Sequence, residues 1–244
     1  MNIPEADDVA IRLDGLARRF GQRWILRGID LAVQPGEVLA LTGRNGSGKT
    51  TLLRVVATVL RPSRGTARVF GHDVVESPDA IRELVGLLGH DAALYDDLTA
   101  AENLVFAQRM SGLPAVAAAA QAALEQVGLV HVARERVRGF SAGMRRRLGL
   151  ARLLLRHPLK LLLLDEPYAS FDADGIDVVN GFAQRVAAAG GVAILATHDL
   201  ARATDITTRR LHLADGRLTE VHDGGAGALR ADSAVWSAGK GKGM

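Results

Sequence analysis

Gly43-Arg44-Asn45-Gly46-Ser47-Gly48-Lys49-Thr50 (GRNGSGKT) decides the fold. The stretch fits the pattern G-x-x-x-x-G-K-[ST], which binds phosphate when it joins a strand to a helix. Both neighbours meet that condition. Val38–Thr42 (VLALT) is a short apolar run of the kind a buried strand uses. Thr50–Leu60 places Leu52, Leu53, Val56 and Leu60 at helical spacing. Glycines let the main chain wrap a phosphate, and backbone amides at a helix start attract its charge. Lys49 is placed to reach the β- and γ-phosphates, and the Thr50 hydroxyl to ligate Mg²⁺. Strand, glycine loop and helix together predict an α/β protein that binds a nucleoside triphosphate.

Two further apolar strands end in chemically useful residues. LLLLDEP, Leu161–Pro167, delivers Asp165 and Glu166 at a carboxyl end, where open α/β sheets bind ligands. Asp165 suits Mg²⁺, and Glu166 suits polarising an attacking water. Val192–Thr197 delivers His198, placed to contact a γ-phosphate or orient water. Three such strands in one parallel sheet would gather these groups at one edge. A fourth motif, FSAGMRRR at Phe140–Arg147, puts Ser141 where a helix should begin. Its hydroxyl and the free amides behind it make either an anion site or an ordinary helix cap followed by a basic face.

The rest of the chain supports an α/β core with a helical middle. Val9–Leu13 and Ile25–Val33 alternate as half-buried strands do, and Thr66–Phe70 reads as another strand. From about Ala92 to Arg147 the pattern turns helical. Thr99 and Glu102 fit a capping box for a helix reaching Met110, and alanine-rich Pro114–Val127 predicts another. Gly175–Ala189 predicts a helix. Arg209–Leu213 and Arg217–Val221 flank Asp215-Gly216, a hairpin signal. Beyond Asp223 the chain is rich in Gly, Ala and Ser and is expected to form a loose tail.

Composition excludes other classes. The 244 residues are 48% apolar and 23% charged, the profile of a folded protein rather than a disordered one. The absence of cysteine removes disulfide scaffolds, thiolate metal sites and cysteine nucleophiles. No apolar stretch approaches the roughly 18–20 residues that cross a bilayer. The acidic start MNIPEADD lacks an apolar signal core. A net charge of +3, with arginines scattered apart from Arg145, Arg146 and Arg147, predicts no nucleic-acid partner.

Together these residues resemble the ABC transporter ATP-binding family, in order and spacing from Val9 to Val221. GRNGSGKT stands at its Walker A motif, FSAGM at its signature and LLLLDEP at its Walker B motif. Tyr168–Asp172 (YASFD) stands at its D-loop, and His198 at its switch histidine. The resemblance implies a P-loop ATPase core, mostly parallel sheet plus N-terminal antiparallel strands, with an inserted helical subdomain. It places the ATPase domain over 1–225, the helical subdomain at about 92–147 and a tail over 226–244. It implies ATP and Mg²⁺ as ligands, with Glu166 and His198 catalytic. Nucleotide contacts would come from Phe20 stacking on adenine and from Gly43, Arg44, Asn45, Gly46, Ser47, Gly48, Lys49, Thr50 and Thr51. Thr50 and Asp165 would hold the metal, joined by His90 at the Q-loop position.

The family works as head-to-tail dimers. On that likeness Ser141, Gly143 and Asp172 serve a nucleotide held between this chain and a second ATP-binding subunit, most simply an identical copy. Motion would pass to integral membrane subunits through a groove beside the helical subdomain. The expected place is therefore the cytoplasmic face of a bacterial inner membrane. Three positions depart from the pattern: His90 replaces a glutamine, Ala142 a glycine, and Met144 a glutamine. Gly89-His90 and Ser141-Ala142-Gly143 resemble the haem-exporter ATP-binding subunits of cytochrome c biogenesis. SAGMRRRL also resembles drug or lipid exporters of the ABC-2 type. The remaining alternatives are a soluble ABC ATPase that does not transport and, given His90, Ala142 and Met144, a binding module with degenerate catalysis.

Overall fold

A computed structural model of the chain describes residues 9–89, 93–112, 114–156, 159–169 and 171–221. His90 and the expected tail over 226–244 lie outside the described residues. In chain order the strands and helices are β1 (Ile11–Phe20), β2 (Arg23–Val33), β3 (Val38–Thr42) and α1 (Lys49–Val56). Then come β4 (Arg64–Val69), β5 (His72–Asp73), α2 (Pro78–Leu84), β6 (Val85–Leu88), α3 (Ala100–Met110) and α4 (Ala117–Gln126). The chain continues with α5 (Ala142–Leu154), β7 (Leu161–Asp165), α6 (Ala173–Ala188), β8 (Val192–Ala196), β9 (Arg209–Ala214) and β10 (Arg217–Val221).

Two sheets form. One is antiparallel, in the order β2-β1-β4-β5. The other runs β10-β9-β3-β8-β7-β6, parallel throughout except for the β9–β10 hairpin. At the hairpin turn Asp215 (φ 50°) and Gly216 (φ 77°) both take the left-handed region, the geometry that keeps two twisted strands paired.

The central strands divide the core by residue parity. Leu161 and Leu163 of β7 face α1 and the antiparallel sheet, while Leu162 and Leu164 face α5 and α6. All four are fully buried. A strand covered on both faces reads as an unbroken apolar run, which is why LLLL is legible in the sequence. Each buried leucine contributes about 1.5–3 kcal/mol. Helices α3, α4 and α5 pack together through Leu104, Ala120, Ala123, Leu124 and Leu148 on the second face.

The capping box forms as the sequence predicts. The Thr99 hydroxyl accepts from the Glu102 amide at 3.2 Å, and the Glu102 carboxylate accepts from the Thr99 amide at 2.8 Å. That amide holds the Glu102 carboxyl below its ordinary range, and the Thr99 hydroxyl adds to the effect. Thr99→Ala is expected to cost about 1 kcal/mol at neutral pH, read from the urea midpoint. The carboxyl is more acidic folded than unfolded, so its contribution is present above the ordinary glutamate pKa. It is lost as pH falls through the lowered folded value. The substitution keeps the main-chain amide and removes only the hydroxyl's share, so the gap between wild type and Thr99→Ala should narrow slightly in acid.

Two expectations need correction, and two short elements lie outside them. The strand beginning near Val9 runs to Phe20. Register shifts between Leu13, Leu16 and Arg18 break its alternation, so the sequence pattern fades where the strand continues. The helix expected over Thr50–Leu60 starts at Lys49 and stops at Val56. Beyond it Thr58 turns left-handed at φ 61°, and the amides of Val59 and Leu60 both bond the Arg54 carbonyl. Helix α2 and strand β6 were not anticipated. At seven and four residues they are too short to show a period.

Candidate functional site

Strand β3 runs into the glycine loop, and α1 opens at Lys49. Two glycines are obligatory here. A Cβ on Gly43, at φ 144°, would lie 2.3 Å from the Leu213 carbonyl oxygen. Gly48 ends the loop at φ 112°, and a Cβ there would press on Ile25 and Leu26 at 3.0 Å. The loop is thus seated between β2 and β9 with no space for side chains at these points. Lys49 is buried, 6% exposed, and its Nζ donates to the Gly43 carbonyl at 2.7 Å. The Ser47 hydroxyl is buried without a hydrogen-bond partner among the described residues, in a loop suited to anions.

The sheet brings the acidic strand to this loop. β3, β8 and β7 lie side by side and parallel, so their carboxyl ends share one edge. The Thr50 hydroxyl donates to Asp165 Oδ2 at 2.6 Å. One Glu166 oxygen lies 4.0 Å from Lys49 Nζ, and the other lies 2.7 Å from His198 Nδ1. An ionised carboxylate only accepts, so that histidine nitrogen carries the proton. Glu166 itself is at φ 51°, an unusual backbone conformation for a side-chain-bearing residue and one that clusters at functional sites.

A cavity of about 480 Å³ follows from this convergence. Its lining includes Phe20, Arg23, Ile25, Asn45, Lys49 and Thr50, with Asp165 and Glu166 at one end. Phe20 ends β1 about half exposed, with the Arg18 guanidinium 4.6 Å from its ring centre. Gly46, Gly48 and Thr51 also face this space. Among the described residues no group of three or more His, Asp or Glu side chains could hold a metal unaided. Adjacent oxygens from Thr50 and Asp165 do suit Mg²⁺, which takes one or two protein ligands and fills its shell with phosphate and water.

Ser141, Gly143 and Asp172 are not in this lining. Ser141 caps α5, accepting from the Met144 amide at 3.2 Å, and is itself exposed. Asp172 caps α6 through the Gly175 amide at 3.0 Å and pairs with Arg147 at 3.1 Å. The Gly175 amide, then the Arg147 guanidinium, hold its carboxyl below the usual range.

The three arginines of α5 separate. Successive residues on a helix point about 100° apart, so a run of three cannot share one face. Arg145 pairs with Asp96 at 2.6 Å, and Arg147 with Asp172. Arg146 turns inward, 8% exposed, and its Nη2 donates to the main-chain carbonyls of Asp165 and Glu166. Burial lowers its pKa, and the two carboxylates oppose that shift. Read as a basic run, the sequence hides this contact. Its only signal is that one of three consecutive helical arginines must face the core.

The family model described as ABC transporter matches residues 26–169. Daunorubicin resistance ATP-binding protein DrrA3 of Streptomyces coeruleorubidus is 40% identical, over 93% of this chain and 71% of its own. Cytochrome c biogenesis ATP-binding export protein CcmA of Bordetella bronchiseptica is 38% identical, over 91% of this chain and 97% of its own. A solved ATP-binding subunit of an ABC transporter superposes with a TM-score of 0.77 at 25% identity, covering 87% of this chain and 89% of its own.

Proposed function

The chain belongs to the ABC transporter family, as its ATP-binding, ATP-hydrolysing subunit, and from that premise we propose that it drives a bacterial exporter. The carrying observation is the convergence of Lys49, Thr50, Asp165, Glu166 and His198 on one sheet edge. Loop amides from Gly43 to Thr51, with Arg44, Asn45 and Ser47 on the same turn, and the Lys49 ammonium hold the triphosphate. Thr50 and Asp165 hold Mg²⁺, which neutralises phosphate charge when bound. Phe20 stacks on the base. Glu166 takes a proton from the attacking water, and His198 orients that carboxylate through the bond at Nδ1.

In this reading a second copy completes each site. Ser141, exposed at the start of α5, and the half-buried Gly143 meet the phosphates held by the partner, and Asp172 lies at the contact between subunits. Membrane subunits supply the passage; no helix among the described residues is long and apolar enough to cross a bilayer. Their docking place is the cavity of about 560 Å³ between α3, α5 and the sheet, lined by Tyr95, Phe106, Met110, Arg82, Arg152 and Arg156. That docking puts the chain on the cytoplasmic face of the membrane. The ATPase unit spans 1–225, with helices from about 92 to 147 as its subdomain.

For the cargo we favour haem, supplied to cytochrome c assembly. Gly89-His90 and Ser141-Ala142-Gly143 support that choice, as does the likeness to the Bordetella protein. The sequence SAGMRRRL and the likeness to DrrA3 support export of a drug or lipid as the second reading. Deleting the gene and staining membranes for covalent haem separates them. Loss of c-type cytochromes is the expected result. Intact cytochromes with new drug sensitivity would move the assignment to the second reading.

A further inference from the structure

Helix α5 does more than carry Ser141. Its buried Arg146 reaches across to the end of β7 and donates through Nη2 to the carbonyls of both Asp165 and Glu166. Those two carbonyls frame the turn in which Glu166 takes φ 51°. On the other side the Glu166 amide bonds the Ala196 carbonyl at 2.7 Å. Arg146 and the amide bond thus hold the turn from two sides. A left-handed conformation at a glutamate persists only where its surroundings impose it. Arg145 and Arg147, paired with Asp96 and Asp172, brace the helix on either side of Arg146. Ser141 lies five residues upstream, about 7.5 Å along the same rigid helix.

We propose that Arg146 is a positioning residue for hydrolysis, locking the Glu166 turn and linking it to the helix end that carries Ser141. This rests on the reading of Glu166 as the base. The consequence is directional. Ser141 serves the nucleotide held by the partner, whereas Glu166 serves the nucleotide held by its own loop. Arg146 is then the contact through which engagement of one nucleotide sets the base over the other. Its Nε has no hydrogen-bond partner among the described residues, and the grip on the turn is that of Nη2.

The test compares Arg146→Met, which keeps an unbranched apolar stem but removes the charge and the donors, with Arg146→Lys, which keeps charge at shorter reach. ATP turnover and ATP binding are measured on the intact protein, at a temperature where circular dichroism shows each variant folded. The expected result is a fall in kcat of about 10²-fold for Arg146→Met, the scale of a small misplacement of reacting groups. The Kd for ATP should stay within about threefold, and Arg146→Lys should regain part of kcat. Wild-type kcat in Arg146→Met, beside an inactive Glu166→Gln control, would overturn the proposal. So would an equal loss of kcat and affinity in both variants, which is the signature of a structural arginine alone. Turnover by the Glu166→Gln control would instead strike the reading of Glu166 as base.

Discussion

Glu166→Gln is expected to stop steady-state hydrolysis, lowering kcat by about 10²–10⁴-fold while ATP still binds. The amide fills the same volume and leaves the backbone turn intact. It cannot accept a proton from water, and it replaces a charged partner of His198 Nδ1 with a neutral one. Single-turnover and steady-state phosphate release, beside an ATP binding isotherm, separate the two effects. Normal phosphate release by this variant would remove Glu166 from the role of base.

Lys49→Ala should fail earlier, at binding. The ammonium is the first residue of α1, is buried and is held by its own loop through the Gly43 carbonyl. With one of its three donors on Gly43, it has up to two left for phosphate oxygens inside a low-dielectric groove. Charge-assisted bonds of this kind contribute about 1.5–3 kcal/mol each. Losing two of them lowers affinity by about 10²–10⁴-fold. Calorimetric titration with a non-hydrolysable ATP analogue reads the loss directly. An unchanged isotherm would mean that the loop does not bind the triphosphate through this residue.

Motifs were legible where local chemistry repeats at fixed spacing. The eight residues Gly43–Thr50 specify their own turn, because Gly43, Gly46 and Gly48 take φ values of 144°, 80° and 112°, which side-chain-bearing residues rarely adopt. The run Leu161–Leu164 declared a strand buried on both faces. Asp215-Gly216 declared its hairpin, and Thr99 with Glu102 declared the start of a helix. The bulged half of β1, the short pair α2 and β6, and the true end of α1 were not legible. The bulged half of β1 depends on pairing with distant strands, α2 and β6 are too short to carry a period, and α1 ends in a left-handed turn at Thr58 that no glycine announces.

The same division holds for the site. Residue type and spacing alone marked Lys49, Thr50, Asp165, Glu166 and His198 as candidates, since a phosphate loop needs those groups. That Thr50 and Asp165 touch at 2.6 Å, although 115 positions apart, is decided by the strand order β3-β8-β7. Arg146 was decided later still. In the sequence it is one of three equal arginines, and only the rotation of α5 against the sheet chooses which one enters the core. Spacing along a chain encodes what a loop or a helix cap does with its own backbone. Which side chain meets which carbonyl across two packed elements is encoded by the packing itself, so that part of the chemistry waited for the tertiary structure.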